Sequence, residues 1–285
     1  MTSESIRCEG VTKRYGATRA LDDLTLQIDQ PGIYCLLGRN GAGKTTLFRT
    51  LAGRTDATAG RVVVAGHCAS LAAPPPGLRF VEATAPQFNL RLRDLLRYAA
   101  QLSDGFDQAY AQQLAERFEL DTRKRFRQLS FGMTSMVNAI LLLASDASVL
   151  LFDEPTLGFD PIVRRRFYDA LRADYDDRPR TMVVATHVVD ELARVASEVL
   201  VIDRGAVALR APMTDLEERS YRLVGPTGLV EPLLADLNVL STTTAAGLTS
   251  AAVLDRRIAT PDGVRTEPQS LADLFVALVE GPDHV

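Results

Sequence analysis

Gly38-Arg39-Asn40-Gly41-Ala42-Gly43-Lys44-Thr45-Thr46 follows the apolar run Ile33-Tyr34-Cys35-Leu36-Leu37 and leads into Leu47-Phe48, so a buried strand, a glycine-rich loop and a helix come in succession. Gly38, Gly41 and Gly43 let the backbone wrap with its N–H groups turned toward phosphate oxygens, and the positive end of the following helix adds to the attraction. Lys44 offers a compact ammonium on a flexible stem to the β- and γ-phosphates, and Thr45 offers a hydroxyl to Mg²⁺. Arg39, Asn40, Ala42 and Thr46 complete the cradle. The stretch implies a nucleoside triphosphate, ATP, bound with Mg²⁺.

Outward from this loop, short aliphatic runs recur at Leu24–Ile28, Arg61–Ala65, Val149–Phe152, Met182–Ala185 and Val199–Ile202. Several lack alternation, as strands buried on both faces should. Helical patterns lie between them, at Leu92–Leu102, Asp107–Phe118, Thr134–Leu143, Val163–Tyr175 and Val189–Ala196, which predicts an α/β domain around a mainly parallel sheet. Pro74-Pro75-Pro76-Gly77 predicts a surface turn. After Gly205 the character changes to a polar helix near Thr214–Arg219, strand-like Tyr221–Val224, helical Val230–Leu237, threonine-rich Ser241–Thr244, strand-like Ala251–Leu254 and an amphipathic helix over Leu271–Val279. This predicts a small C-terminal α+β appendage over 213–285.

The 285 residues, 46% of them hydrophobic, suffice for one large core and a small companion. A net charge of -4 provides no global basic field, so no nucleic-acid partner is expected. Arg164, Arg165 and Arg166 are read as a solvated helix face. Cys8, Cys35 and Cys68 form neither a disulfide framework nor a zinc pattern and read as reduced thiols. No run is long and apolar enough to be a signal or a membrane span. Of the three lysines, Lys13, Lys44 and Lys124, one sits in the glycine-rich loop.

Val149-Leu150-Leu151-Phe152 ends in Asp153-Glu154, two carboxylates that are unfavourable at the end of a buried strand unless a cation offsets them. Asp153 suits Mg²⁺, directly or through water. Glu154 suits the polarisation of an attacking water, because phosphoryl transfer needs positioning and charge stabilisation more than covalent chemistry.

These motifs stand in an order that resembles the nucleotide-binding subunit of an ATP-binding cassette (ABC) transporter, over about residues 5–212. Leu129-Ser130-Phe131-Gly132-Met133 resembles the family's LSGGQ signature and lies 20 residues before Asp153, counted from Met133. Asp153-Glu154-Pro155-Thr156-Leu157-Gly158-Phe159-Asp160 is similar to its DEPT…LD stretch, and Thr186-His187 to its switch histidine. The resemblance implies a P-loop cassette over 1–212 with an antiparallel β part and a helical subdomain at about 88–145. It also implies head-to-tail pairing of two copies, or of this chain and a close paralogue. Ser130 and the Gly132 N–H would then meet the γ-phosphate bound by the partner's loop, and Asp160 would lie at the seam. His187 would hold Glu154's water in line, and Tyr15 would stack on adenine.

The family glutamine that links Mg²⁺ to the membrane subunit corresponds by spacing to Glu82, or by residue type to Gln87 on a shorter loop; a carboxylate at Glu82 would reach Mg²⁺ through water. Phe131 stands where the signature has its first glycine and Met133 where it has glutamine, and Thr134, Ser135 and Met136 replace the usual basic residues. The Gly-Met signature, Asp160-Pro161-Ile162-Val163-Arg164 and Leu271-Ala272-Asp273-Leu274-Phe275 resemble the ATPases of bacterial multidrug, antibiotic and peptide exporters. The implied partners are separate integral membrane subunits, and the implied location is cytoplasmic, on the inner face of the cell membrane. The competing readings are a non-transport ABC ATPase acting on ribosome or DNA, and a cassette that binds ATP and regulates with little hydrolysis.

Overall fold

Two long strands, β1 (Ile6–Tyr15) and β2 (Thr18–Ile28), open the chain as an antiparallel pair. In β2, buried Leu24, Leu26 and Ile28 alternate with exposed Thr25 and Gln27, the pattern of a sheet covered on one face. The computed structural model describes residues 5–82 and 89–280, divided into two compact units at Leu209/Arg210.

β3 (Gly32–Leu37) is buried at every position and passes through the glycine-rich loop into α1 (Lys44–Leu51). β4 (Ala59–Val64) and β5 (His67–Cys68) extend the first sheet, in the order β2-β1-β4-β5, and β6 (Leu78–Val81) follows the proline turn. Three helices come next: α2 (Leu92–Leu102), α3 (Gln108–Arg117) and α4 (Phe131–Leu143). They pack on one another, and Asp107 caps α3 by accepting from the Tyr110 N–H at 2.8 Å.

β7 (Val149–Asp153), α5 (Pro161–Asp177), β8 (Thr181–Ala185), α6 (Val189–Ala193), β9 (Glu198–Asp203) and the first part of β10 (Ala206–Pro212) complete the unit. The central sheet runs β10-β9-β3-β8-β7-β6, with β9, β3, β8, β7 and β6 mutually parallel. Ligands of such sheets collect beyond the carboxyl ends of the strands. Here β3, β8 and β7, side by side, deliver the loop before Lys44, His187 and the Asp153-Glu154 pair to one edge.

Behind that edge, a buried ionic joint fastens the helices to the sheet. The Asp174 side chain is fully buried, and Arg180 grips it through Nε at 2.9 Å and Nη2 at 2.8 Å. Arg178 adds a third donor at 2.7 Å. The remaining Arg180 donors reach the carbonyls of Leu143 and Ser145, both at 2.7 Å, at the end of α4. The Arg178 guanidinium lies 4.8 Å from the centre of the Tyr110 ring on α3.

The second unit is α+β. α7 (Met213–Arg219), β11 (Ser220–Pro226), α8 (Thr227–Leu234), β12 (Val239–Ala245), β13 (Leu248–Leu254), β14 (Arg265–Pro268) and α9 (Leu271–Val279) build a four-stranded sheet in the order β12-β13-β11-β14. Its pairings are antiparallel. Tyr221, Leu223, Val230, Ala251 and Val253 form its core, and Ser270 caps α9 from the Asp273 N–H.

Candidate functional site

The loop 38–43 takes its shape from two close approaches. Gly43 has φ 110°, and a Cβ there would lie 2.5 Å from the Ala20 carbonyl; a Cβ at Gly38 would lie 2.5 Å from the carbonyl of Ile202. Side chains are excluded at both, so the backbone turns directly into α1, whose first turn has no side-chain cap. Its free N–H groups and the helix dipole make that end an anion seat.

A cavity of about 360 Å³ opens there, lined by Ala20, loop residues Arg39 to Gly41 and Gly43 to Thr46, and the two carboxylates of Asp153 and Glu154. Ala42 is buried behind it, its N–H bound to the Arg39 carbonyl at 3.0 Å. Lys44 folds back so that Nζ donates to the carbonyls of Gly38 at 2.5 Å and Arg39 at 3.3 Å. Burial lowers the Lys44 pKa, and Glu154 and Asp153 act in the opposite sense. Thr45 Oγ1 donates to Asp153 Oδ2 at 2.8 Å. Asp153 is raised above the usual carboxylate range, first by desolvation and then by repulsion from Glu154.

Paired hard oxygens beside a phosphate seat fit Mg²⁺, which is commonly bound by one or two carboxylates with substrate phosphates completing its shell. Among the described residues no cluster of three or more His, Cys, Asp or Glu side chains forms a cage sufficient by itself. Thr45 and Asp153 are the residues that would hold such an ion beside a nucleotide.

Glu154 stands at φ 48°, a conformation non-glycine residues seldom adopt and one that persists where surroundings enforce it. Its N–H is held by the Ala185 carbonyl at 2.9 Å and its carbonyl accepts from Leu157 at 3.2 Å. The turn brings Glu154 Oε2 to 2.8 Å from His187 Nδ1. A carboxylate only accepts, so Nδ1 carries the proton and Nε2 is left for a second partner.

Ser130, Gly132 and Asp160 do not line this cavity. Ser130 caps α4 by accepting from Met133 N–H at 3.2 Å; α4 thus begins at Phe131, three residues before the Thr134 start expected from the sequence. Gly132 packs against the carbonyl of Gly158, where a Cβ would lie only 2.5 Å away. Asp160 caps α5 by accepting from Val163 at 2.9 Å. All three therefore belong to a second surface joining the α4 and α5 N-termini, on which Phe131, Leu157 and Ile162 are exposed. Tyr15, at the end of β1, is 48% exposed, with the Lys13 ammonium 5.1 Å from its ring centre.

Glu82 accepts from Arg49 Nη2 at 2.8 Å and Arg54 Nη1 at 3.1 Å, and these guanidinium groups hold its carboxyl below the usual range. A water-mediated bond to Mg²⁺ would compete with both. Gln87 lies outside the described residues. The arginine row on α5 is not uniformly solvated: Arg165 is exposed, Arg166 pairs with Glu119 at 2.6 Å, and Arg164 turns inward to Glu191. Nothing in the spacing of single motifs signals Arg49, Arg54 or Glu191, whose partners are remote in sequence.

The family described as ABC transporter matches residues 21–157. The daunorubicin resistance ATP-binding protein DrrA3 of Streptomyces coeruleorubidus is 33% identical, covering 93% of this chain and 88% of its own length. The bacitracin transport ATP-binding protein BcrA of Bacillus licheniformis is 28% identical over 77% of this chain and 74% of its own. Among solved structures, the ATP-binding cassette MJ0796, dimeric in a post-hydrolysis state with ADP and Pi, matches with TM-score 0.63 and 19% identity, covering 73% of this chain and 98% of that one; this likeness bears on the fold.

Proposed function

This chain belongs to the ABC transporter family of ATP-binding proteins, and from that membership we propose that it is the ATP-hydrolysing subunit of an exporter whose cargo is antibiotic-like, acting with separate membrane subunits at the inner face of the cell membrane. The observation that carries the hydrolytic part is the convergence of Lys44, the Thr45–Asp153 pair and Glu154 on one cavity, with His187 bonded to Glu154. The choice of cargo follows the daunorubicin and bacitracin relatives.

In this reading Lys44 leaves the Gly38 and Arg39 carbonyls for the β- and γ-phosphates, while the loop N–H groups hold their oxygens. Mg²⁺, held by Thr45 and Asp153, supplies charge neutralisation on those phosphates. Glu154 orients and polarises the water and takes up its proton, and His187 fixes the carboxylate through Nδ1. Tyr15 offers an exposed ring face to the base. Ser130 and the Gly132 N–H close the site from a second copy, with Asp160 at the seam, so that closure is the mechanical stroke.

Size-exclusion chromatography of the Glu154→Gln protein tests the pairing. With saturating ATP and Mg²⁺ this variant should run as a dimer, and on EDTA addition as a monomer. A monomer under both conditions contradicts pairing of like copies.

A further inference from the structure

Four buried side-chain atoms among the described residues lack a hydrogen-bond partner, and three of them, Arg164 Nε, Tyr168 Oη and Glu191 Oε2, lie on one seam between α5 and α6. Leaving a buried polar atom unpaired is unfavourable, because its hydration is lost without replacement. A fold that gathers three at one place, next to its reactive pair, calls for a physical reason.

The seam joins the two loops that carry that pair. Arg164 and Tyr168 stand four residues apart on α5 and so share a face. Arg164 Nη2 donates to the Phe159 carbonyl at 3.3 Å, within the loop that starts at Glu154, and Nη1 reaches Glu191 Oε1 at 3.5 Å. Glu191 lies on α6, which follows His187 directly. One turn along, the Tyr168 hydroxyl is buried against the hydroxyls of Thr156 and Thr186, which interact with it without reaching full hydrogen-bond geometry. Thr156 lies two residues after Glu154, and Thr186 adjoins His187. Both threonines are almost fully buried, and Thr186 Oγ1 accepts from Val188 N–H at 3.0 Å. Burial pushes the Tyr168 phenol up to about 12, so it remains a neutral donor throughout the working range.

We propose that Arg164, Tyr168 and Glu191 are positioning residues that set His187 against Glu154 and tie that contact to the 156–160 loop, so that movement of this loop is felt at the histidine. The long Arg164–Glu191 contact, at 3.5 Å, and the phenol that lacks a well-formed bond leave the seam room to tighten. Such a network responds to displacement of either loop, whereas a saturated one resists it. The functional consequence rests on Glu154 and His187 acting together in hydrolysis, as argued above.

The test uses the full chain with ¹⁵N-labelled histidine. The His187 ring signals are assigned by their loss in His187→Ala, with His67 and His284 as internal references. Tyr168→Phe removes one oxygen and keeps the ring, and Glu191→Gln keeps the shape and removes the charge. Both should move the His187 ring signals while leaving those of His67 and His284 in place. Phosphate release at saturating ATP should fall about tenfold with little change in KM, as for a displaced reactive group. His187 signals that stay unchanged in both variants overturn the proposal. Wild-type hydrolysis by His187→Ala instead overturns the role given to the Glu154–His187 pair, and leaves the ring-signal result to decide the seam.

Discussion

The Asp174 joint and the Asp153–Glu154 cavity are both clusters of charge at the ends of buried elements, yet they are built on opposite principles. At the joint a single carboxylate meets two guanidinium groups, and the further Arg180 donors end on the carbonyls of Leu143 and Ser145. At the cavity two carboxylates are neighbours, the backbone of Glu154 is held at positive φ, and Lys44 spends its donors on nearby carbonyls. Charges that serve the fold are saturated by the fold. Charges that serve a ligand are left with part of their partnership unmade, and the surrounding sheet holds them in that state.

Opposite responses to removal of a carboxylate would sharpen this contrast. Asp174→Ala leaves Arg180 buried without its counter-ion, so denaturant unfolding should show a loss of about 3–5 kcal/mol. A loss under 1 kcal/mol would make the joint no different from a surface pair. Asp153→Asn should act the other way, adding about 1 kcal/mol while abolishing Mg²⁺-dependent phosphate release. The folded-state pKa of Asp153 is raised above the ordinary aspartate value by desolvation, so the folded protein keeps this proton longer than the unfolded chain does. Stability therefore falls as pH rises through that interval and stays lower at neutral pH, and Asp153→Asn should flatten that segment of the stability–pH curve.

Glu82 is intermediate, carrying two guanidinium partners at a half-open position. Its pKa is lowered, so its contribution is present above the unfolded value and is lost as pH falls through the folded one. Glu82→Gln should lower stability at neutral pH by at most about 1 kcal/mol, with no loss on the acid side.

What could be read from the sequence follows the same division. The glycine-rich loop, the Asp153-Glu154 strand end and the fully buried strands were legible because each is local: an apolar run, then residues whose chemistry the run cannot accommodate. β1 was not, since Arg7, Glu9 and Lys13 interrupt its apolar positions and its partner faces are chosen by tertiary pairing with β2 and β4. β6 is only four residues long and takes its identity from β7. Ser241–Thr244 is strand because β13 lies beside it. In the site, the types and order of the groups were readable, but not that His187 would touch Glu154 from 33 residues away, that Arg49 and Arg54 would take Glu82, or that Arg164 would turn inward. Those are decisions of packing, and single motifs carry no record of them.

In the proposed function the Lys44 cavity is half of a catalytic site, and Ser130 of another copy supplies the rest. The most direct measurement is steady-state phosphate release by the full chain with saturating ATP and Mg²⁺, taken across a hundredfold range of protein concentration. A composite site requires the rate per chain to rise with concentration toward a plateau, and Ser130→Arg to remove that rise. A rate per chain that is constant over the whole range would rule out a site shared between two copies.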